Sequence, residues 1–374
     1  VFLTGPIPTP AIAHLTKALR ADLGVMITAS HNTYEDNGFK LFGPNGLKLN
    51  DEQQSEINDL MNRSDIMNLQ NNNQIGSAKR VDDALSRYVE FAKASFPNSM
   101  RLDNIKIVLD CANGAAYKAA PMIFWELGAD IIVIGDQPNG RNINQGCGST
   151  KTKKLRAEVL NNNADLGIAF DGDGDRLVLI DELGKEIEGE HLIAMIAFSL
   201  KQRNLLKSNK VISTVMANLS LEKYFESIGI ELIRTNVGDR YVFEEMTKTG
   251  SNFGGEPSGH LIINDFSTTG DAIISSLQVL SLMIEKNKPI SELTNLFTLT
   301  KQINHEVKIG KKNISNKALE DLSLKMREKI GGKGRLIIRK SGTEPLIRIM
   351  VETDNHELGN KLINEIKSSI DLLS

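Results

Sequence analysis

Residues 105–135 read IKIVLDCANGAAYKAAPMIFWELGADIIVIG. An apolar run stops at Cys111-Ala112-Asn113-Gly114, a helical pattern follows, and a second apolar run closes on Gly135. That is strand, glycine turn, helix, strand, the grammar of a parallel βαβ unit. It continues through Ala164 to Phe170 into an acidic turn, and restarts at 211–238 as VISTVMANLSLEKYFESIGIELIRTNVG. Upstream, Val25-Met26-Ile27 reads as a short buried strand that ends in Thr28-Ala29-Ser30-His31-Asn32. The turns at 29–32, 111–114 and 216–219 share small and polar letters, which suggests an internal repeat of α/β domains. The opening segment reads as strand, helix (Ala11 to Leu23), the Ser30 loop, then polar helices ending at Arg87 to Lys93. Asn68 to Gln74 reads as an exposed connection.

From Ile303 the pattern changes. INHEVKI is strand-like, Lys317 to Ile330 is helical and stops at Gly331-Gly332, and Arg335–Lys340 and Leu346–Glu352 read as two strands. A last helix runs from His356 to Leu372, so the tail is a small α+β domain behind a linker near Leu296 to Lys301. The expected architecture is three similar α/β domains with mixed sheets (1–96, 97–190, 191–298) and a smaller α+β domain (299–374), with the active site in a central cleft.

Composition excludes several classes. A hydrophobic content of 40% and a charged content of 24% are those of a globular chain. A net charge of −3 offers no attraction for nucleic acid or an anionic membrane. Cys111 and Cys147 are too few for a disulfide framework or a thiolate zinc site. The longest apolar run, Leu192 to Leu200, is half of what a membrane span needs, and a cytoplasmic location is expected. The chain opens on Val1 in mid-pattern, and a preceding piece is expected.

Four loops carry chemistry. A strand ending at Ser30 and His31 offers a hydroxyl and an imidazole where ligands sit in open α/β sheets. Ser30 can serve as a nucleophile if its oxygen is relieved of charge, although the same residues also fit a plain turn. His31, adjacent on an extended chain, points to the other face and suits poorly as its base. Asp171-Gly172-Asp173-Gly174-Asp175-Arg176 sets three carboxylates in five residues, which repel one another unless a cation neutralises them. Hard oxygen donors suit Mg²⁺ or Ca²⁺. An EF-hand is excluded, because its sixth position is Arg176 and the preceding segment is a strand. Glu256-Pro257-Ser258-Gly259-His260 can bind polyol hydroxyls or move a proton. Arg339 to Pro345 with Arg348 can grip a phosphate dianion.

In this order the four loops resemble the motifs of the α-D-phosphohexomutase superfamily over nearly the whole chain. Within it the chain is most similar to the phosphoglucosamine mutase branch, through Arg234–Val242, Ser267–Asp271 and Arg339–Pro345. The resemblance implies that Ser30 is a phosphoserine and that Ser30, Asp171, Asp173 and Asp175 hold Mg²⁺. It implies that Glu256 and Ser258 read sugar hydroxyls. Arg339, Ser341, Gly342, Thr343 and Arg348 would bind the substrate phosphate, and His31, Lys40, Arg176 and His260 would line the reacting centre.

The implied activity interconverts glucosamine 6-phosphate and glucosamine 1-phosphate through a 1,6-bisphosphate, feeding UDP-N-acetylglucosamine synthesis. Lys40 or His260 would manage the proton of the sugar hydroxyl. The implied partner is a small sugar phosphate, with no nucleic acid or membrane and a homodimer as an allowed assembly. A phosphomannomutase or phosphoglucomutase with the same mechanism is the near alternative. An inactive sugar-phosphate-binding fragment is another, and a serine hydrolase lacks its nucleophile-elbow pattern around Ser30. Two departures stand out: Thr33 replaces the motif's proline, and the superfamily carries a further strand and an arginine-bearing loop ahead of Val1. A first domain without those partners is expected to fray, to exchange its amides quickly, and to support little turnover.

Overall fold

The computed structural model describes residues 1–63, 75–309, 314–340 and 346–373, so Asn68–Gln74 and Ser341–Pro345 lie outside the described residues. The chain divides into two compact units, Val1–Ala217 with Gly229–Leu296, and Asn218–Ile228 with Phe297–Ser374.

The first unit opens with β1 (Phe2–Leu3), α1 (Thr9–Ala18), β2 (Gly24–Ile27), β3 (Phe39–Phe42), α2 (Asp51–Met61), β4 (Lys79–Arg80) and α3 (Ala84–Lys93). β1 pairs in parallel with β4, and β2 antiparallel with β3, in two separate two-stranded sheets. Two expectations change here. The strand at Val25–Ile27 forms but is not buried, since Val25 is 44% and Ile27 62% exposed: β3 covers one edge, and no described element covers both faces. The first helix starts earlier than expected, with Pro10 in its first turn, and stops at Ala18 instead of Leu23. Arg20 turns left-handed (φ 53°) and Ala21 N–H closes back on the Thr16 carbonyl, so the helix cannot continue.

The βαβ reading holds in the middle of the chain. β5 (Lys106–Asp110), α4 (Ala119–Glu126), β6 (Asp130–Ile134), α5 (Lys153–Asn161), β7 (Leu166–Phe170), β8 (Leu177–Asp181) and β9 (Glu186–Ile187) follow one another. They build a mixed sheet of order β6-β5-β7-β8-β9, parallel through β7 and antiparallel beyond it. β7 is buried along its whole length, which is why LGIAF shows no alternation. A Cβ at Gly167, in the middle of β7, would stand 2.6 Å from Val159 Cγ2 and 3.1 Å from Leu155 Cδ1, so glycine lets α5 lie against the strand.

Next come α6 (Gly189–Gln202), β10 (Lys210–Thr214), α7 (Leu219–Ser227), β11 (Glu231–Thr235), α8 (Asp239–Thr249), β12 (Phe253–Gly255), β13 (Leu261–Ile263), α9 (Ala272–Lys286) and α10 (Ile290–Leu293). Their sheet runs β11-β10-β12-β13, parallel except at β13. Asp271 caps α9 by accepting from Ile274 N–H at 2.9 Å, and the buried Tyr88 hydroxyl of α3 lies 3.1 Å from both its oxygens. Burial pushes the Asp271 carboxyl up to about 7, against the pull of these donors. Among the described residues no helix is long and apolar enough to cross a membrane.

The second unit contains, besides α7, β14 (Gln302–Lys308), α11 (Asn316–Ile330), β15 (Gly334–Lys340), β16 (Leu346–Thr353) and α12 (His356–Leu372). The three strands form an antiparallel sheet of order β14-β16-β15. Its core joins Leu319, Leu322, Met326 and Ile330 of α11 to Leu362, Ile366 and Ile370 of α12 across Leu336, Ile349 and Val351. Gln302 and Arg335 hold the fully buried Glu352 carboxylate at 3.0 and 2.8 Å, so its charge is paired.

Two measurements probe this architecture. Gly167→Val forces extra volume against α5 and should destabilise the first unit by about 1–3 kcal/mol in denaturant unfolding. The raised pKa of Asp271 means its stabilising contribution is full below about pH 4 and is lost as pH rises through about 7. Asp271→Asn keeps a capping acceptor without the charge. It should therefore flatten the fall in stability across that window, which in the wild type amounts to about 1.4 kcal/mol per pH unit or less.

Candidate active site

Three carboxylates come first because their repulsion dictates what surrounds them. Asp171, Asp173 and Asp175 leave the end of β7 in a tight turn, are all buried, and present one oxygen each within 4.8 Å of one another. The turn is closed by Asp171 Oδ1, which accepts from the Asp175 and Arg176 amides at 3.0 and 3.1 Å. Burial, together with the charges of Asp175 and Asp173, pushes the Asp171 carboxyl well above the usual range. Asp175 goes the other way: burial works against ionisation, but Lys40 and His260 outweigh it and hold the carboxyl well below that range.

Lys40, on β3, reaches both Asp173 Oδ2 and Asp175 Oδ2 at 2.6 Å. Burial alone would lower its pKa, but the two carboxylates reverse the sign and raise it. Its ammonium is one positive charge against three carboxyls. Asp173 Oδ1 and Asp175 Oδ1 are buried and accept no hydrogen bond. Two orphaned hard oxygen atoms, in a group this close, fit a divalent cation.

Two helix starts steady the same turn. Thr9 of α1 donates its amide to the Asp173 carbonyl at 2.8 Å and its hydroxyl to Asp173 Oδ2 at 2.5 Å. Ala272, the first residue of α9, donates its amide to the Gly174 carbonyl at 3.2 Å. Unsatisfied first-turn amides are suited to this task.

Ser30 stands against the group. Its hydroxyl donates to Asp171 Oδ2 at 2.7 Å, and its own amide bonds Thr28 Oγ1 at 2.8 Å. Asn144, in a left-handed turn of its own, donates to the carbonyls of Ser30 (2.9 Å) and Asn32 (2.7 Å), pinning the loop to the second domain's surface. The approach requires Gly172, where a Cβ would lie 2.7 Å from the Ser30 carbonyl oxygen. Ser30 itself is left-handed (φ 54°), so the premise of an extended chain with His31 on the opposite face does not hold. His31 is half-buried within electrostatic reach of Asp173, Asp175, Lys40 and Arg176. Its pKa is lowered, first by burial and then by Arg176, against the two carboxylates.

The Glu256–His260 loop joins from the third domain. Arg176 and His260 form an antiparallel bridge, and Leu177 N–H bonds the Gly259 carbonyl at 3.1 Å. Gly270 N–H lies 3.2 Å from His260 Nε2, and Nδ1 of the same ring lies 3.6 Å from Asp175 Oδ1. Glu256 is half-buried and its pKa is raised, chiefly by burial, while Ser258 is exposed. Asp239, at the start of α8, lies with Oδ2 3.4 Å from His260 Nε2 and forms an ion pair with Lys48.

One structural unit therefore gathers Ser30, His31, Lys40, Asp171, Asp173, Asp175, Arg176 and His260. In the second unit Arg339 and Arg348 are direct cross-strand partners on β15 and β16, and Arg348 pairs with Glu306 at 3.2 Å. Ser341, Gly342 and Thr343 lie outside the described residues. Sequence reasoning passed over Thr9, Asn144 and Asp239. Asp239 lies inside the 234–242 stretch singled out above, whereas nothing local marks Asn144, whose role arises from contact with a loop 114 positions earlier.

Family comparisons cover almost all of the chain. Models of the phosphoglucomutase/phosphomannomutase family match with alpha/beta/alpha domain I at residues 1–67, domain II at 86–184, domain III at 188–300 and the C-terminal domain at 302–369. A phosphoglucosamine mutase of Parvibaculum lavamentivorans is 48% identical over 372 residues, 99% of this chain and 83% of that one. One of Gluconacetobacter diazotrophicus is 49% identical over 373 residues, 99% of this chain and 82% of the relative. Among solved structures, a phosphoglucomutase/phosphomannomutase family protein of Burkholderia thailandensis matches with a TM-score of 0.78 at 20% identity, covering 98% of this chain and 81% of its own. An Aspergillus fumigatus N-acetylphosphoglucosamine mutase, solved with GlcNAc-6P and magnesium, matches with a TM-score of 0.72 at 19% identity over 98% and 92% of the two chains. With four consecutive domain models and relatives near half identity, this chain belongs to the phosphoglucomutase/phosphomannomutase family.

Proposed function

We infer that this chain is a phosphoglucosamine mutase, interconverting glucosamine 6-phosphate and glucosamine 1-phosphate. The observation that carries the chemistry is the Ser30 hydroxyl at 2.7 Å from Asp171, beside two orphaned carboxylate oxygens and the Lys40 ammonium. The substrate follows from relatives at 48–49% identity over 99% of the chain. Four domains, bounded at 1–96, 97–190, 191–298 and 299–374, carry one motif each.

Ser30 is the phosphoryl carrier. Its phosphoryl group passes to the O1 hydroxyl of glucosamine 6-phosphate: the bond from phosphorus to O1 forms, the bond to Ser30 Oγ breaks, and the O1 proton leaves to a base. The resulting 1,6-bisphosphate turns over and returns its 6-phosphoryl group to Ser30. Mg²⁺ is the cation we assign to Asp171, Asp173 and Asp175, where it would draw charge from the transferring group and the serine oxygen. Lys40 and Arg176 supply positive charge beside the transferring oxygens, and His31 and His260 line the same space. Nδ1 of His260 faces the carboxylates, and Lys40 and His260 are the candidates for exchanging the sugar proton. Glu256 and Ser258 read sugar hydroxyls. Arg339 and Arg348, with Ser341, Gly342 and Thr343, hold the phosphate that is not being transferred. The product suits UDP-N-acetylglucosamine synthesis in the cytoplasm.

Ser30→Ala should cut mutase turnover to below about one thousandth with an unchanged melting curve, and intact mass should lose the phosphate. Retained turnover with phosphate mapped elsewhere would overturn the assignment. Chelation should stop turnover and added Mg²⁺ restore it, while Asp173→Asn should weaken Mg²⁺ binding by about tenfold or more in calorimetry. Full activity in excess chelator would remove the metal from the scheme.

A further inference from the structure

The substrate assigned above differs from glucose or mannose phosphates in one chemically decisive way. It carries an amino group at C2, and a sugar amine titrates in about the range of an α-amino group, near 8. At neutral pH that amine is largely an ammonium, which calls for a charged acceptor where a hydroxyl needs none. The reacting centre contains five carboxyls, and Asp171, Asp173 and Asp175 are committed to the metal group. Glu256 and Asp239 are left.

We propose that Asp239 is the specificity-determining residue that recognises the C2 ammonium of the substrate. Asp239 opens α8 behind Gly238, and its side chain is 25% exposed, unlike the sealed Asp271 at 2%. Its Oδ1 accepts from the Arg240 amide at 2.9 Å, and its Oδ2 faces Lys48 and, at 3.4 Å, His260 Nε2. A carboxylate offers about four lone-pair positions, so acceptor capacity remains for one more donor. The carboxylate is thus accessible and adjoins the reacting centre through His260.

Charge favours Asp239 over its neighbour. Burial works to raise the Asp239 pKa, but His260 and Lys48 outweigh it and hold the carboxyl below the usual range. Glu256 is displaced upward, by burial first and with a further push from Asp239. The charged groups facing Asp239 are Lys48 from the first domain, His260 and Glu256 from its own, and Asp175 from the metal turn. Lys48 offsets one negative charge, and Glu256 keeps the corner acidic. A hydroxyl at C2 gains little from such a corner, whereas an ammonium gains a charge-assisted hydrogen bond.

The inference rests on the glucosamine phosphate reading, and the experiment separates the two. Dissociation constants for glucosamine 6-phosphate and glucose 6-phosphate are measured by calorimetry with Mg²⁺, in a Ser30→Ala background so that nothing turns over. The full chain should prefer the amino sugar, and the preference should fade as pH rises through about 8, where the ammonium is lost. Taking the ratio for two ligands with the same phosphate cancels enzyme titrations that act on both alike. Asp239→Asn should reduce the preference by about tenfold to a hundredfold and flatten its pH dependence. Lys48→Met, which frees the carboxylate from its partner, should change the ratio in the opposite direction. Absence of any preference in the background chain would overturn the functional reading itself. A preference retained in Asp239→Asn, or equal weakening of both ligands by both variants, would overturn the inference alone.

Discussion

Three carboxyl groups that cannot all be charged side by side are the constraint on which this molecule turns. Buried within 4.8 Å of one another, Asp171, Asp173 and Asp175 demand positive charge and oriented donors from every direction. The Lys40 ammonium and the Ser30 and Thr9 hydroxyls answer that demand, while the first-turn amides of α1 and α9 hold backbone carbonyls of the same turn. These donors come from Thr9, from the Ser30–Lys40 segment and from Ala272, three separate stretches of chain. Electrostatic need at one turn therefore draws the first, second and third domains onto a common point.

The same economy explains the strain in the Ser30 loop. A serine at φ 54° is costly for an L-residue, and the loop is held there from outside by the Asn144 amide and from within by Thr28. The left-handed turn brings the hydroxyl onto Asp171 instead of letting it point along the strand. Gly172 supplies the missing side chain that makes the approach feasible. Preorganisation of this kind is what phosphoryl transfer asks of a protein, since positioning and charge carry most of the acceleration.

The second unit follows a different logic. Its antiparallel sheet carries α11 and α12 on a shared apolar core, and the charged pair Arg335–Glu352 is built into the sheet. Arg339 and Arg348 stand opposite each other across β15 and β16, because antiparallel pairing places directly facing residues on one face. That pairing sets two guanidinium groups side by side, one of them tied to Glu306.

The amino-acid sequence by itself determined the βαβ grammar of the middle of the chain, the α+β character of the tail and the acidic turn. These are written in local periodicity and in glycine spacing, which act over a few residues. The last helix was legible to its ends, His356–Leu372, because Asn355 caps it and its apolar positions keep a helical period. Tertiary structure alone decided the exposure of Val25 and Ile27, since burial of a strand depends on what covers it rather than on its own letters. It also decided the handedness at Ser30, the orphaned oxygens of Asp173 and Asp175, and the distant partners of Asn144 and Asp239. Those features arise from contacts between residues more than a hundred positions apart, or from a backbone conformation that only such contacts can sustain, and no local pattern encodes them.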